Sequence, residues 1–313
     1  MDNVTDRFDF QSFSNGTGNS GFGQAHGPGI DLRPTLPTST PQLTGVDLSD
    51  TLYTSEVAVT GGPKVAGGNG NGHGGPPPPS TGGGSYADYT SNVAGSAYNV
   101  TVHFNGSNWT VAEHQAFVDA ANRISSLITG DVPNVTVISK AGIQVVDDIL
   151  FTAELKTIDG VGGILGQSGP TSIRTVGSLP ATATMQFDSA DAQAYVDTGQ
   201  FGVIVLHEML HGVGFGTVWS YLNLTSGSTF VGAHAEAEYG ILIGAGPTAV
   251  PLETGGGSGT AGSHWSEALF NHELMTGYID ALPDPLSKMT VASLQDLGYQ
   301  VNYAGPIDGY ALG

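Results

Sequence analysis

The sequence predicts an α+β domain, and three observations carry that prediction. Residues 98–104 alternate apolar and polar side chains with the period of a half-buried strand. A capping box and an apolar stripe then mark a helix over 110–130. Short strand-like runs cut by glycine-rich turns follow, leading into a second helical stretch near 199–213.

The first helix opens at Thr110-Val-Ala-Glu113, where Thr110 can cover free amides and Glu113 can reach back. Phe117, Ala120, Ala121, Ile124, Leu127 and Ile128 recur on one helical face. Gly130 stands where a helix-ending C′ residue is expected. Strands are expected over 135–139, 148–155 and 181–187, with a short helix over 189–196. Gly160 to Gly166 reads as a turn between strands: it fits neither glycine fingerprint of phosphate loops and no Lys follows. Residues 166–170 miss a nucleophile elbow because Pro170 stands where Gly is needed. Residues 214–262 are glycine-rich without long periodic elements. The last helix spans 290–297, with Val291, Leu294 and Leu297 on one face and Gly298 closing it.

Composition narrows the function. Of 313 residues only 8 are Lys or Arg, against 28 Asp or Glu, for a net charge of −20. So few scattered cations cannot neutralise a run of phosphates, which argues against nucleic acid or an anionic membrane as partner. There is no Cys, so disulfide frameworks, thiol catalysis and cysteine-based metal sites are excluded. No run approaches the ~18 apolar residues of a membrane span, and the first residues show no ordinary signal peptide. Residues 61–84 hold 16 Gly or Pro among 24, a composition that cannot bury apolar surface. Residues 1–88, with only short apolar hints such as Val46 to Val59, are therefore expected to be a largely disordered extension and linker with room for a small ordered patch, 89–305 the folded domain, and 306–313 a tail.

The chemistry concentrates at residues 207–211, His-Glu-Met-Leu-His. On an α-helix, positions i and i+4 lie on one face about 6 Å apart along the axis, so His207 and His211 can reach one ion. Glu208 stands about 100° around, placed to hold a water on that ion. Val203, Ile204, Leu206 and Leu210 would anchor the helix in a core. Gly214, three residues past the second His, can end the helix and turn the chain sharply, so a downstream segment can return with a third ligand. The extended pattern HExxHxxGxxH would put that ligand at position 217, which here is Thr217, a poor zinc ligand. His234, Glu236, Glu238, Glu253, His264 and His272 remain as candidates. Residues 233–239 can be helical, and a glutamate ligand from them would give a thermolysin-like arrangement.

The chain resembles the leishmanolysin family of metzincin metallopeptidases. The likeness rests on HEMLHGVGFGTVW at 207–219, GSHWSEALFNHELMTGYID at 262–280 and PLSKMTVASLQDLGY at 285–299, and it covers roughly residues 98–302. In that family an insertion separates the second helix histidine from the third ligand. The resemblance thus implies His264, 53 positions after His211, as the third ligand, and Met275, 11 positions later, as the methionine of the turn beneath the metal. It implies a zincin fold, with a twisted mixed sheet and long helices above a cleft and an irregular C-terminal part below. The implied activity is a zinc-dependent endopeptidase with one catalytic Zn2+, in which Glu208 takes a proton from metal-bound water and passes it to the leaving amine. Protein or peptide substrates and a monomer are expected. Tyr278 stands three residues past Met275, whereas the oxyanion-stabilising tyrosine of some metzincins stands two past.

Departures from the family also inform. Without Cys, latency by a cysteine switch is impossible, and a glycine-rich arm stands in place of a conventional prodomain. No lipid-anchor tail is seen. The chain looks more like a bacterial secreted relative than a parasite surface enzyme, and an extracellular location by a leaderless bacterial route is expected. Two alternatives stand beside the peptidase: the thermolysin-like arrangement, and a surface binding module that keeps the shape without the activity, against which the intact Glu208 argues.

Overall fold

The computed structural model describes residues 83–313 apart from 140–141, 281 and 313, together with the backbone of two earlier strands. In chain order the elements begin with β1 (Leu43–Asp47), β2 (Ser55–Ala58), β3 (Tyr89–Thr90) and β4 (Val100–Asn105), then α1 (Val111–Leu127). Next come β5 (Val135–Ser139), β6 (Gly142–Val146), β7 (Ile149–Lys156), β8 (Ile164–Arg174) and β9 (Pro180–Asp188). Helices α2 (Ala192–Thr198) and α3 (Phe201–Gly212) follow, then β10 (Thr225–Ser226), β11 (Thr229–Phe230) and α4 (Ala233–Leu242). The chain closes with β12 (Val250–Pro251), α5 (Glu267–Phe270) and α6 (Lys288–Leu297).

The architecture is mixed α+β, as the sequence predicts. Val100, Val102 and Phe104 of β4 turn inward while the residues between them face out, the pleat's alternation made physical. Strands β4, β7 and β9 are mutually parallel, and β8 runs antiparallel on β9. The main sheet has the order β3-β4-β7-β9-β8-β1-β5-β6, with β2 also on β8. Helices α1 and α3 pack on each other and on this sheet.

Helix α1 starts as its capping box requires. The Glu113 amide donates to Thr110 Oγ1 at 3.2 Å, and the Thr110 amide donates to Glu113 Oε2 at 2.7 Å. Its apolar stripe meets the sheet through Phe117, whose ring makes edge-on contacts with Phe104, Trp109 and Phe187. Burying a side chain of this size is worth roughly 1.5–3 kcal/mol. A second aromatic cluster, Phe215, Trp219, Phe230 and Trp265, holds the C-terminal half.

The structure adds to the sequence expectations in four places. Helix α1 ends without Gly130: Ile128 leaves in extended conformation and bridges Val301. Strands β6 and β8 were not foreseen, because β8 contains Gly166, Gly169 and Pro170 and lacks a clean alternation; its ladder to β9 shifts register beside Pro170. Within 1–88, β1 and β2 are paired strands. They fall at the short apolar hints around Val46 to Val59, and backbone pairing to a neighbouring strand needs no stronger side-chain pattern. The rest of that extension up to residue 82 lies outside the described residues. Finally, 306–313 is tied down: Asp308 pairs with Arg123 at 2.6 Å and accepts from the Leu286 amide at 2.9 Å, and Ile307, Tyr310 and Leu312 pack on the core.

Candidate metal centre

Helix α3 carries His207, Glu208 and His211 on a segment that is almost entirely buried. Its apolar residues Ile204, Val205, Met209 and Leu210 anchor it against the sheet and α1. Past His211 the chain turns at Gly214, whose φ of +116° is open to glycine and strained for other residues. That turn returns the Phe215 carbonyl to His211, whose Nδ1 donates to it at 2.9 Å. Thr217, at the position of the extended motif's third ligand, instead donates its hydroxyl to the His211 carbonyl at 2.8 Å.

The third imidazole arrives from far along the chain. Gly216, with φ +72°, lies so close to Ser263 that a Cβ there would overlap the Ser263 carbonyl. This contact seats the 260–264 segment against the end of α3. Trp265 fixes it from the other side: its indole donates to Thr290 Oγ1 at 2.8 Å and its amide to the Met275 carbonyl at 3.0 Å. His264 Nδ1 donates to the Thr260 carbonyl at 3.1 Å. His207 Nδ1 donates to the Leu274 carbonyl at 2.7 Å.

The three Nε2 atoms then face one another, His211 at 2.9 Å from both His207 and His264, and those two 3.1 Å apart. Burial pushes the His207 imidazole down to about 4 and holds His211 and His264 well below their usual value, the neighbouring imidazoles adding to the effect. All three are neutral near pH 7. Each Nδ1 carries the proton it donates to a carbonyl, so each Nε2 presents a lone pair. Three acceptors turned on one another cannot satisfy themselves; a cation at about 2.0–2.1 Å from each does so. The donor set therefore fits one zinc ion.

Among the described residues one other acidic or imidazole group converges, Asp131, Asp147 and Asp148. Asp148 already accepts amides from Asn99 and Val132 at 2.7 and 2.8 Å, and the other two are exposed.

Of the third-ligand candidates, only His264 joins the helix pair. His234 is bonded to Asp296 at 2.7 Å, and Glu236 and Glu238 lie on α4 outside the cluster. Glu253 accepts the amides of Thr254, Gly255 and Glu267, while His272 sits beside Asn271 and Tyr310. Met275 is fully buried in the turn that follows the Leu274 carbonyl. Tyr278 is half-buried beyond that turn.

Sequence reasoning missed Glu273. It is 1% exposed, and its Oε2 accepts the Met275 amide at 2.6 Å. Its Oε1 accepts from the Ser287 amide and hydroxyl and the Thr290 hydroxyl, at 3.1, 2.6 and 2.5 Å. A carboxylate two residues before Met275, with Ser287 and Thr290 at the start of a helix, was the available signal.

Residues 228–306 match the family model of leishmanolysin, peptidase family M8. The matched stretch contains His264 and Met275, and it supports a leishmanolysin-like assignment and a metallopeptidase function in general. No curated protein matches the chain. Among the described residues, no helix is long and apolar enough to cross a membrane.

Proposed function

We propose that the protein is a zinc-dependent endopeptidase in which His207, His211 and His264 hold one Zn2+ and Glu208 moves the proton. The observation that carries this reading is the convergence of three Nε2 lone pairs whose Nδ1 partners are already committed to carbonyls. Three imidazoles leave one position open, the donor count of a catalytic rather than a structural zinc site. Zinc bound there supplies Lewis acidity toward a peptide carbonyl and acidifies water towards neutrality.

The chain's own residues do the rest. Burial keeps the three imidazoles neutral and their lone pairs available. Glu208 follows His207 on α3, turned towards β8 at Gly166, where its carboxylate can take a proton from water and return it to the departing amine. The Leu274 carbonyl fixes the His207 tautomer, and Met275 behind it forms an apolar floor. Gly214 supplies the hinge, as in the metzincin arrangement. The substrate is a protein or peptide met outside the cell, and the enzyme works as a monomer.

The test separates ligand set from activity. Zinc stoichiometry should fall from about one to near zero in His264→Ala and stay near one in Glu236→Ala and Glu238→Ala. Glu208→Gln should keep its zinc while casein hydrolysis drops by about 10²–10⁴-fold. Zinc retained in His264→Ala would overturn the ligand set, and full hydrolysis in Glu208→Gln the catalytic role. An inactive binding module would show zinc without any chelator-sensitive hydrolysis.

A further inference from the structure

The three imidazoles and Glu208 are at most 2% exposed, at a site that on the peptidase reading must admit a polypeptide. What lies against them belongs to the chain itself. Glu208 lies against the face of β8: a Cβ on Gly166 would stand 3.1 Å from both Glu208 Cγ and Oε1. Along 164–168 one edge of β8 is taken by β2, antiparallel, with Ser55 opposite Ser168, Glu56 opposite Gln167, Val57 opposite Gly166 and Ala58 opposite Ile164. Strand β2 also lies against α3.

An extended peptide gains its main-chain partners by adding to a free sheet edge. Here the strand that lies over Glu208 already has a partner along 164–168, and the residue paired with Gly166 is Val57. We propose that Ser55–Ala58 is a built-in competitor for the peptide-binding edge of β8, which lowers substrate access without abolishing it. This rests on the peptidase reading. The chain has no Cys with which to block the metal directly; backbone pairing restrains access by another route. Only 24 residues separate Ala58 from Gly83, so the arm competes intramolecularly. A tether of this kind corresponds to an effective concentration on the order of mM, which a dilute peptide cannot match.

The test uses the full chain with Glu56→Pro and Val57→Pro together. In an antiparallel ladder alternate residues face a given neighbour, so two adjacent prolines remove the bonding amide whichever residue supplies it. Strand β8 keeps β9, and the fold should persist. Hydrogen exchange of the 165–168 amides should speed up by about tenfold or more. In a Glu208→Gln background, which leaves peptides intact, a labelled peptide of residues 51–60 should bind the double-proline protein about tenfold or more tighter than the arm-intact protein. Unchanged exchange, or equal peptide binding by the two proteins, would overturn the proposal. Casein hydrolysis by the double-proline protein with Glu208 restored judges the peptidase reading separately. Gained peptide binding without hydrolysis would uphold the arm's role and sink the catalytic one.

Discussion

Replacing Glu273 by Gln removes a charge while keeping shape, and the structure sets the expected cost. The carboxylate accepts four hydrogen bonds, from the Met275 amide on one oxygen and from Ser287 and Thr290 on the other. A glutamine NH2 must replace one of those oxygens. Facing Met275 or facing Ser287, it meets a backbone N–H that can only donate. One charge-assisted bond, worth about 1.5–3 kcal/mol, is lost, and a buried donor is left unsatisfied at about 1–3 kcal/mol. Against this stands relief of the carboxylate's own desolvation, which pushes its pKa up. The net is a destabilisation of about 2–3 kcal/mol, a large share of a typical domain's stability. Because the braced turn also presents the Leu274 carbonyl to His207 Nδ1, zinc affinity should fall by about 10–100-fold. Urea unfolding of the metal-free protein and zinc titration of the folded protein measure the two effects. A midpoint and a zinc affinity both equal to wild type would refute the assignment of Glu273 as the brace of this turn.

Three further outcomes follow from the same geometry. The metal-free protein should lose stability as pH falls: imidazoles held below their usual value bind fewer protons folded than unfolded, so their contribution is present above about pH 6.5 and fades toward about pH 4, with His207 alone accounting for about 3 kcal/mol; denaturation curves flat between pH 7.5 and 4.5 would contradict buried neutral histidines. Gly216→Ala should destabilise by about 2 kcal/mol or more and weaken zinc binding, since φ is +72° and the new Cβ meets the Ser263 carbonyl, whereas Gly227→Ala, at φ +57° in open space, should cost about 1 kcal/mol and leave zinc untouched; thermal melts and zinc titrations of the pair make the comparison. Thr110→Ala should cost about 1 kcal/mol in urea midpoint without altering zinc affinity, and an unchanged midpoint would count against the cap seen at α1.

Much of the fold was legible because its elements carry local signatures. Alternation at β4, the box at Thr110 and the stripe from Phe117 to Leu127 each fall within a few residues of one another, where period and capping act. Strand β8 carried no such signature, since Gly166, Gly169 and Pro170 break the pattern and its place is set by β9. At the metal centre, the helix pair could be read from i, i+4 spacing, whereas the third partner could be narrowed only to a set of candidates until the likeness at 262–280 singled out His264. Glu273 escaped because a buried carboxylate looks in sequence like any exposed one.

The sequence by itself determined the helix that aligns two imidazoles, the glycine that ends it and the absence of thiols, because these depend on residue type and short spacing. The tertiary structure decided which distant histidine completes the triangle, which carbonyl orients each ring and which strand pairs with β8 where it covers Glu208. Those are contacts between residues tens of positions apart, fixed by close approaches such as Gly216 against Ser263 and by shared burial, and no local pattern encodes them.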